Sequence, residues 1–279
     1  MVHHVAEKRA TLKRLMTKAR KGANRLVGPA LYGAYEARVV ADLGDRDVPR
    51  HIGVIVDGNR RWAREMGFTV PDGHRYGGEK LTDLIEWSEE LGVEVVTIWL
   101  LSTDNLTARE PAEIEPLLEI IVDVAHQLSD PRHDWHVRVM GALDLLPDRI
   151  AAELRQAVAS TEGRSGITVN IAVGYGGRQE IVDAVRAALR EAAADGRSIE
   201  QIAESVDLED ISAHLYTKGQ PDPDLIIRTS GEQRLSGFLL WQTANAEFYF
   251  SDVYWPDFRR VDFLRAIREF AHRNRRFGG

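Results

Sequence analysis

Along the chain, short continuous apolar runs alternate with stretches whose apolar residues recur at helical spacing. His51 to Val56 is an apolar, partly β-branched run and reads as a buried strand. It stops on Asp57, Gly58-Asn59 permits a tight turn, and Arg60-Arg61-Trp62 begins what reads as a helix. Phe68 to Lys80, with one proline and three glycines, predicts a mobile loop of the kind that closes over a ligand. A helix is predicted from about Glu79 to Leu91, with Leu81, Leu84, Ile85 and Trp87 on its buried side and Gly92 ending it. Val93 to Leu101 is apolar on both faces, as a central parallel strand is.

Downstream, Ser102-Thr103-Asp104-Asn105 ends that strand, and Pro111 opens a long helix bearing Ile114, Leu117, Leu118 and Ile121. His136 to Gly141 is a strand and Pro147 to Thr161 a helix. The strand Ile167 to Val173 ends in Gly174-Tyr175-Gly176-Gly177, and a helix follows to about Ala194. Two shorter helices fill 198–217, Asp224 to Thr229 and Glu247 to Phe250 are strands, and an arginine-rich helix closes the chain. Upstream, Pro29 to Leu43 repeats apolar residues (Leu31, Tyr35, Val39) at helical intervals.

This β-then-α alternation predicts an α/β fold: a single domain over 49–279, built on a mainly parallel sheet flanked by helices. Residues 1–48 form a basic arm and helix ahead of it. Ligands of such sheets bind beyond the carboxyl ends of the strands. Four predicted strand ends carry polar clusters there: Asp57, Ser102 to Asn105, Gly174 to Gly177, and Thr229 to Ser236.

Composition narrows the chemistry. The 279 residues include no cysteine, which excludes disulfides, thiolate zinc sites and cysteine nucleophiles and fits a reducing cytoplasm. Net charge is −7, yet residues 1–25 carry eight Lys/Arg against Glu7, leaving −14 on the remainder. An acidic body argues against nucleic-acid binding. The basic arm, with Leu12, Leu15 and Met16 at helical spacing, suits either peripheral contact with an anionic membrane or a solvated terminal helix. No apolar run approaches the roughly 20 residues of a membrane span.

The rim favours anions. Arg60, Arg61, Arg228 and Arg234 offer planar forks for phosphate oxygens, with Ser230, Ser236 and glycine backbones as neutral donors. Asp57 and Glu247 are sparse carboxylates at strand edges, a supply suited to magnesium shared with phosphate; alone, each also reads as a helix cap or an edge residue. There is no P-loop, no G-x-G-x-x-G loop and no G-x-S-x-G elbow, and His133 and His136 lack further zinc ligands nearby.

Taken together, D-G-N-R-R-W-A from Asp57, Ser102 to Asn105, G-Y-G-G-R from Gly174, and D-L-I-I-R-T-S-G-E-Q-R-L-S-G-F-L-L-W-Q from Asp224 resemble the cis-prenyltransferases, the undecaprenyl diphosphate synthase-like enzymes, over about residues 50–279. That resemblance implies a six-stranded, mainly parallel sheet, usually in a homodimer. It also implies a Mg2+-dependent condensation of isopentenyl diphosphate with an allylic diphosphate, making a Z double bond. Asp57 matches the essential aspartate that works with magnesium, and Glu247 the second magnesium ligand. Gly58, Asn59, Arg60, Arg61 and Trp62 match the loop holding the allylic group, with His74 reaching in from the mobile segment. Arg228, Arg234, Leu235 and Ser236 match the cradle for isopentenyl diphosphate. Ser102, Thr103, Asp104 and Asn105 match a further substrate-binding motif. Some schemes make Asn105 the base, but a neutral amide better orients a phosphate oxygen that takes the proton. Arg276-Phe277-Gly278 resembles a terminal motif that reaches across the dimer.

The chain also departs from the family pattern. Val70 stands where an arginine is frequent, Leu106 replaces an aromatic, Arg109 falls one place late, and Arg60 replaces a common glycine. Long-chain members tend to carry a small residue at the Leu100 position. A leucine there, beside Trp99, resembles the actinobacterial (2Z,6E)-farnesyl diphosphate synthases and implies a short product. The alternative for Leu100 is plain strand core, with the tunnel floor elsewhere. Three other functions compete: a medium- or long-chain polyprenyl diphosphate synthase, a non-catalytic partner subunit, and a generic phosphate-binding α/β protein. The last leaves the tryptophan and F-L-L-W-Q motifs unexplained.

Overall fold

The computed structural model describes Gly33 and residues 36–43 and 48–277, with side chains to residue 273. The basic arm of residues 1–25, most of the predicted helix from Pro29, and Gly278 with the side chains of Arg276 and Phe277 in the terminal motif lie outside what is described; residues 36–43 are helical.

Six strands form one sheet in the order β3-β4-β2-β1-β5-β6. They are β1 (His51–Ile55), β2 (Val95–Ser102), β3 (His136–Met140), β4 (Thr168–Tyr175), β5 (Leu225–Arg228) and β6 (Glu247–Phe250). Every pairing is parallel, so the expected mainly parallel sheet is parallel throughout. β1 sits between β2 and β5, where the chain reverses its direction of travel across the sheet, and such a switch point opens a crevice at the carboxyl ends.

The helices are α1 (Asn59–Met66), α2 (Val70–Glu90), α3 (Thr103–Ala108), α4 (Pro111–Leu128), α5 (Asp148–Ala159), α6 (Gly177–Ala194), α7 (Ile199–Ser205), α8 (Leu208–Ser212) and α9 (Arg260–Phe277). Leu81, Leu84 and Ile85 of α2, Leu117 and Ile121 of α4, Leu154 of α5 and Phe263 and Ile267 of α9 share one core with strand residues Ile52, Val54, Val96 and Ile171. Each such fully buried side chain contributes about 1.5–3 kcal/mol. The opposite face is covered differently: Phe238 and Leu239, from the segment after β5, pack there with Ile55, Ala172 and Tyr175.

The expected mobile loop over Phe68 to Lys80 is instead the first half of α2. Thr69 caps the helix, its hydroxyl accepting from Asp72 N–H while the Asp72 carboxylate accepts from Thr69 N–H, and Pro71 sits in the first turn, where its missing N–H costs nothing. The glycines serve packing. A Cβ at Gly77 would stand 2.4 Å from Asn59 Oδ1, so Gly77 lets α1 lie close against α2.

Candidate active site

Two residues beyond β1, the backbone of Asp57 is clamped by Thr229. The Asp57 N–H donates to Thr229 Oγ1 at 3.0 Å, and that hydroxyl donates to Asp57 O at 2.7 Å. The turn then needs Gly58, whose φ of 107° is left-handed and whose Cβ, if present, would lie 2.8 Å from the Tyr254 ring. No side chain caps α1 at Gly58, so the first N–H groups of that helix face a cavity of about 630 Å³ over the carboxyl ends of β1, β2 and β5.

Asp57 stands on this cavity with its side chain 30% exposed. Its Oδ2 accepts from Arg228 Nη2 at 2.9 Å and its Oδ1 from Arg61 Nη2 at 3.2 Å. Burial works to raise the carboxyl, but Arg228 and Arg61 outweigh it and hold Asp57 below the usual carboxylate range. Arg228 also donates to Ser236 Oγ at 2.9 Å and to the carbonyl of Arg234. Arg61 reaches Ser230 Oγ at 2.6 Å and Glu232 at 3.4 Å, and Arg234 pairs with the same Glu232. Arg61, Arg228 and Arg234 therefore surround one end of the cavity, with Asp57 and Glu232 as their counter-charges.

A second cationic group lines the α2–α4 side. Arg60 lies 3.2 Å and Arg109 3.4 Å from Glu113, while Arg109 Nε and Nη1 are buried without a hydrogen-bond partner. His74 Nε2 is likewise buried and unpartnered. Burial, then Arg109 and Arg60, lower His74 to about 4, so it is neutral near pH 7 and free to share a proton with an anion. His74 projects from the second turn of a helix, not from a loop, so its position is fixed.

Of the residues singled out in the sequence, Asp57, Gly58, Asn59, Arg60, Arg61, His74, Leu100, Ser102, Asp104, Asn105, Arg228, Arg234 and Ser236 line this one cavity. Ser102 spends its hydroxyl capping α3 by accepting from Asn105 N–H at 3.0 Å. Four others stand apart. Trp62 is buried against Phe68 and Tyr76, anchoring α1. Thr103 donates to Gly174 O at 2.9 Å, and Leu235 packs under the sheet with Phe238 and Leu239. Glu247 opens β6 opposite Leu225, at the amino end of the sheet, and pairs with Arg273 at 2.9 Å. Three residues between Glu247 and the level of Arg228 place it roughly 10 Å down the strand direction, so the chain does not bring it to Asp57. Arg64 and Glu232, not singled out in the sequence, also line the cavity, as does Arg109, named there only as a departure from the family pattern; the Arg109–Glu113 i,i+4 pair was the available signal for its role.

The donor set suits a hard cation shared with phosphate. One carboxylate, Asp57, opens on a cavity ringed by arginines, and magnesium takes one or two carboxylates with water and phosphate completing its shell. Among the described residues no group of three His, Asp or Glu could hold a metal by protein ligands alone.

Behind the cavity, Val56, Asn59, His74, Leu100 and Leu117 continue into a second, largely apolar space between α2 and α4. That space holds only about 30 Å³. Leu100, on the same side of β2 as Val96 and Ile98, stands at the junction, where the strand also bulges. Trp99 pairs with Ala172 and Leu101 with Val173, leaving Leu100 as an extra residue between them. Trp99 stacks on Phe238 on one face of the sheet, whereas Leu100 packs with the α2–α4 core on the other.

An all-parallel sheet whose switch-point rim gathers arginines, helix N–H groups and one carboxylate above an apolar pocket defines a diphosphate-handling α/β protein. Residues 55–278 match the family model described as "Putative undecaprenyl diphosphate synthase", and the chain belongs to that family, the cis-prenyltransferases. It is 58% identical to a (2Z,6E)-farnesyl diphosphate synthase of Thermobifida fusca, over 89% of this chain and 97% of that one. It is 53% identical to the (2Z,6E)-farnesyl diphosphate synthase of Mycolicibacterium smegmatis, over 91% of this chain and 97% of the relative. Among solved structures, lavandulyl diphosphate synthase from Lavandula x intermedia, in complex with dimethylallyl diphosphate, superposes with a TM-score of 0.74 at 33% identity, covering 80% of this chain and 95% of that one.

Proposed function

We propose that this chain is a Mg2+-dependent short-chain cis-prenyltransferase that condenses isopentenyl diphosphate with an allylic diphosphate, geranyl diphosphate foremost, to a Z-prenyl diphosphate such as (2Z,6E)-farnesyl diphosphate. The observation that carries the chain-length assignment is the space of about 30 Å³ behind Leu100, too small for several further five-carbon units. The names of the relatives agree: besides the two farnesyl diphosphate synthases, a 52% identical protein of Mycobacterium leprae is a short-chain Z-isoprenyl diphosphate synthase.

In this reading, departure of the allylic diphosphate builds negative charge beside Arg60, Arg109 and neutral His74, which stabilise it where it develops. Arg228, Arg234 and Ser236 hold isopentenyl diphosphate, and Asp57 would hold the metal. Bound magnesium would supply Lewis-acid neutralisation of diphosphate charge. The apolar walls at Val56, Leu100 and Leu117 exclude water from the reacting carbons. Asn105, at the start of α3, orients the phosphate oxygen that accepts the final proton. A homodimer gives Glu247 its route to a metal: β6 is an edge strand with Phe250 exposed, and a second copy there would carry Glu247 toward a neighbouring site.

Chromatography of products from labelled isopentenyl diphosphate, with geranyl or farnesyl diphosphate as primer and with magnesium or a chelator, tests this reading. A single 15-carbon product from the geranyl primer, abolished by the chelator, is expected. A ladder of long products would support the lipid-carrier alternative. No product from either primer would support a partner-subunit role.

A further inference from the structure

The Gly174-Tyr175-Gly176-Gly177 motif ends β4 beside the cavity without lining it, and Glu180, one turn into α6, is buried to 1% exposure. A carboxylate removed from water in this way needs partners. Glu180 Oε2 accepts from Tyr175 Oη at 2.5 Å, and Oε1 accepts from Tyr216 N–H at 2.9 Å and Gln242 Nε2 at 3.0 Å. Tyr175 Oη, having donated to Glu180, accepts from Leu239 N–H at 3.1 Å. Gln242 also donates to Thr217 Oγ1 at 3.0 Å. One carboxylate thereby ties the end of β4 and the 216–217 turn to both Leu239 and Gln242.

The tied segment continues directly from Arg234 and Ser236, and it is strained. Ser236 and Leu239 have φ of 54° and 45°, left-handed values that side-chain-bearing residues adopt only when their surroundings impose them. The restraints converge there. Gly177 N–H donates to Gly237 O at 2.9 Å, and a Cβ at Gly177 would stand 2.5 Å from that oxygen. Phe238 stacks on Trp99 with ring centroids 5.3 Å apart. The shape so imposed sets Ser236 Oγ and the Arg234 carbonyl on Arg228.

We infer that Glu180 is a positioning residue for the isopentenyl diphosphate cradle: acting through Tyr175 and Gln242, it holds 234–239 in the strained form that seats Ser236 and Arg234 around Arg228. This inference rests on the function proposed above. The chemistry at position 180 must be that of a carboxylate. A glutamine would turn its NH2 either toward Tyr175 Oη, leaving the tyrosine proton without its acceptor, or toward Tyr216 N–H and Gln242 Nε2, setting donor against donor.

The test is steady-state kinetics of the full chain, with direct titration of isopentenyl diphosphate and of inorganic pyrophosphate, for wild type, Tyr175→Phe, Glu180→Gln and the double variant. Each single change should raise the KM for isopentenyl diphosphate about tenfold, the scale of one or two lost hydrogen bonds, while the allylic KM moves less than about twofold. The double variant should be no worse than the more damaged single, because both act through one segment. Tyr175→Phe removes one hydroxyl and keeps the ring, so it reports even where Glu180→Gln does not fold. An unchanged isopentenyl diphosphate KM in Tyr175→Phe, an equal rise in both KM values, or additive effects in the double would overturn the inference. A wild-type chain that neither binds nor consumes isopentenyl diphosphate would overturn the proposed function instead; weaker pyrophosphate binding by Tyr175→Phe would then still support the positioning role, and unchanged binding would overturn it.

Discussion

Arg228 donates through Nη2 to Asp57 Oδ2 at 2.9 Å and through Nη1 to Ser236 Oγ at 2.9 Å, so one guanidinium joins the carboxylate after β1 to the loop after β5. Arg228 is nearly buried, its side chain 5% exposed, whereas Asp57 opens on the cavity. The pair keeps Asp57 ionised and ready for a cation, while an incoming diphosphate competes for the same arginine. Asp57→Asn preserves the shape and removes the charge. Its turnover should fall by about 10²–10³-fold, the scale of losing one electrostatic stabiliser at developing charge. Unfolding followed by circular dichroism should show the fold retained, because Thr229 still clamps the backbone. Wild-type turnover in Asp57→Asn would remove the carboxylate from the mechanism.

Leu100 alternates onto the α2–α4 side with Val96 and Ile98, and shortening it enlarges the space behind the cavity. Leu100→Ala should shift products from 15 carbons toward 20 and longer. The stability cost is about 1–3 kcal/mol, below that of a fully buried leucine because Leu100 is only partly buried. Reversed-phase chromatography of dephosphorylated products reads the outcome. A product distribution identical to wild type would place the floor at Leu117 or deeper.

Much of this arrangement was legible in the chain. Asp57, Arg228 and Ser236 lie where predicted strands end, and a parallel sheet collects its carboxyl ends on one rim, so residues far apart in sequence had to meet. Glu247 begins β6, which in a parallel sheet puts it at the amino end, away from its own chain's rim; the short apolar run did not reveal that β6 joins the sheet parallel. Thr69-Val70-Pro71-Asp72 carried a capping box and a first-turn proline, but the glycines after them outweighed that signal; the close approach of Asn59 and of the Trp255 ring explains a glycine in mid-helix at 77. The side that Leu100 faces follows the alternation Val96, Ile98, Leu100, whereas the bulge that brings Leu101 to the same side is set by pairing with β4, which no periodicity within β2 encodes. Trp62 carried a family role, yet its ring is absorbed by Phe68 and Tyr76, contacts created only when α1 docks on α2.

Arg109 falls one place late against the family pattern, and Val70 stands where an arginine is frequent. Even so, the Arg109 guanidinium lies at the cavity with Nε and Nη1 lacking a hydrogen bond, Nη1 being 3.4 Å from Glu113, and burial followed by Arg60 lowers its pKa. A dianionic ligand would relieve both. Arg109→Gln should raise the KM for the allylic diphosphate about tenfold or more, the scale of a charge-assisted hydrogen bond, and leave the isopentenyl diphosphate KM within about twofold. This is the reverse of the selectivity expected for Tyr175→Phe. Equal rises in both KM values would assign Arg109 to the general field of the cavity.

At the amino end of the sheet, His51 is fully buried, its Nδ1 donating to Pro221 O at 2.7 Å and its Nε2 accepting from Thr97 Oγ1 at 2.7 Å. Thr97 in turn accepts from Asn170 Nδ2 at 2.8 Å, which commits the threonine proton to the imidazole and keeps Nε2 bare. Burial lowers His51 from 6.5 to about 4, against the pull of Pro221 and Asp224. The unfolded chain therefore takes up a proton near pH 6.5 that the folded chain refuses until about pH 4. Stability should be fully present above pH 6.5, fall as pH drops toward 4, and level off below it, with a ceiling of about 3 kcal/mol from this residue. His74 acts in the same direction, so His51→Phe isolates the contribution. That variant should be less stable near neutrality, because Thr97 and Pro221 lose their partner, yet its denaturant midpoints should change less steeply between pH 6.5 and 4 than those of the wild type. An identical slope in the two proteins would show that His51 takes up its proton equally in the folded and unfolded chains.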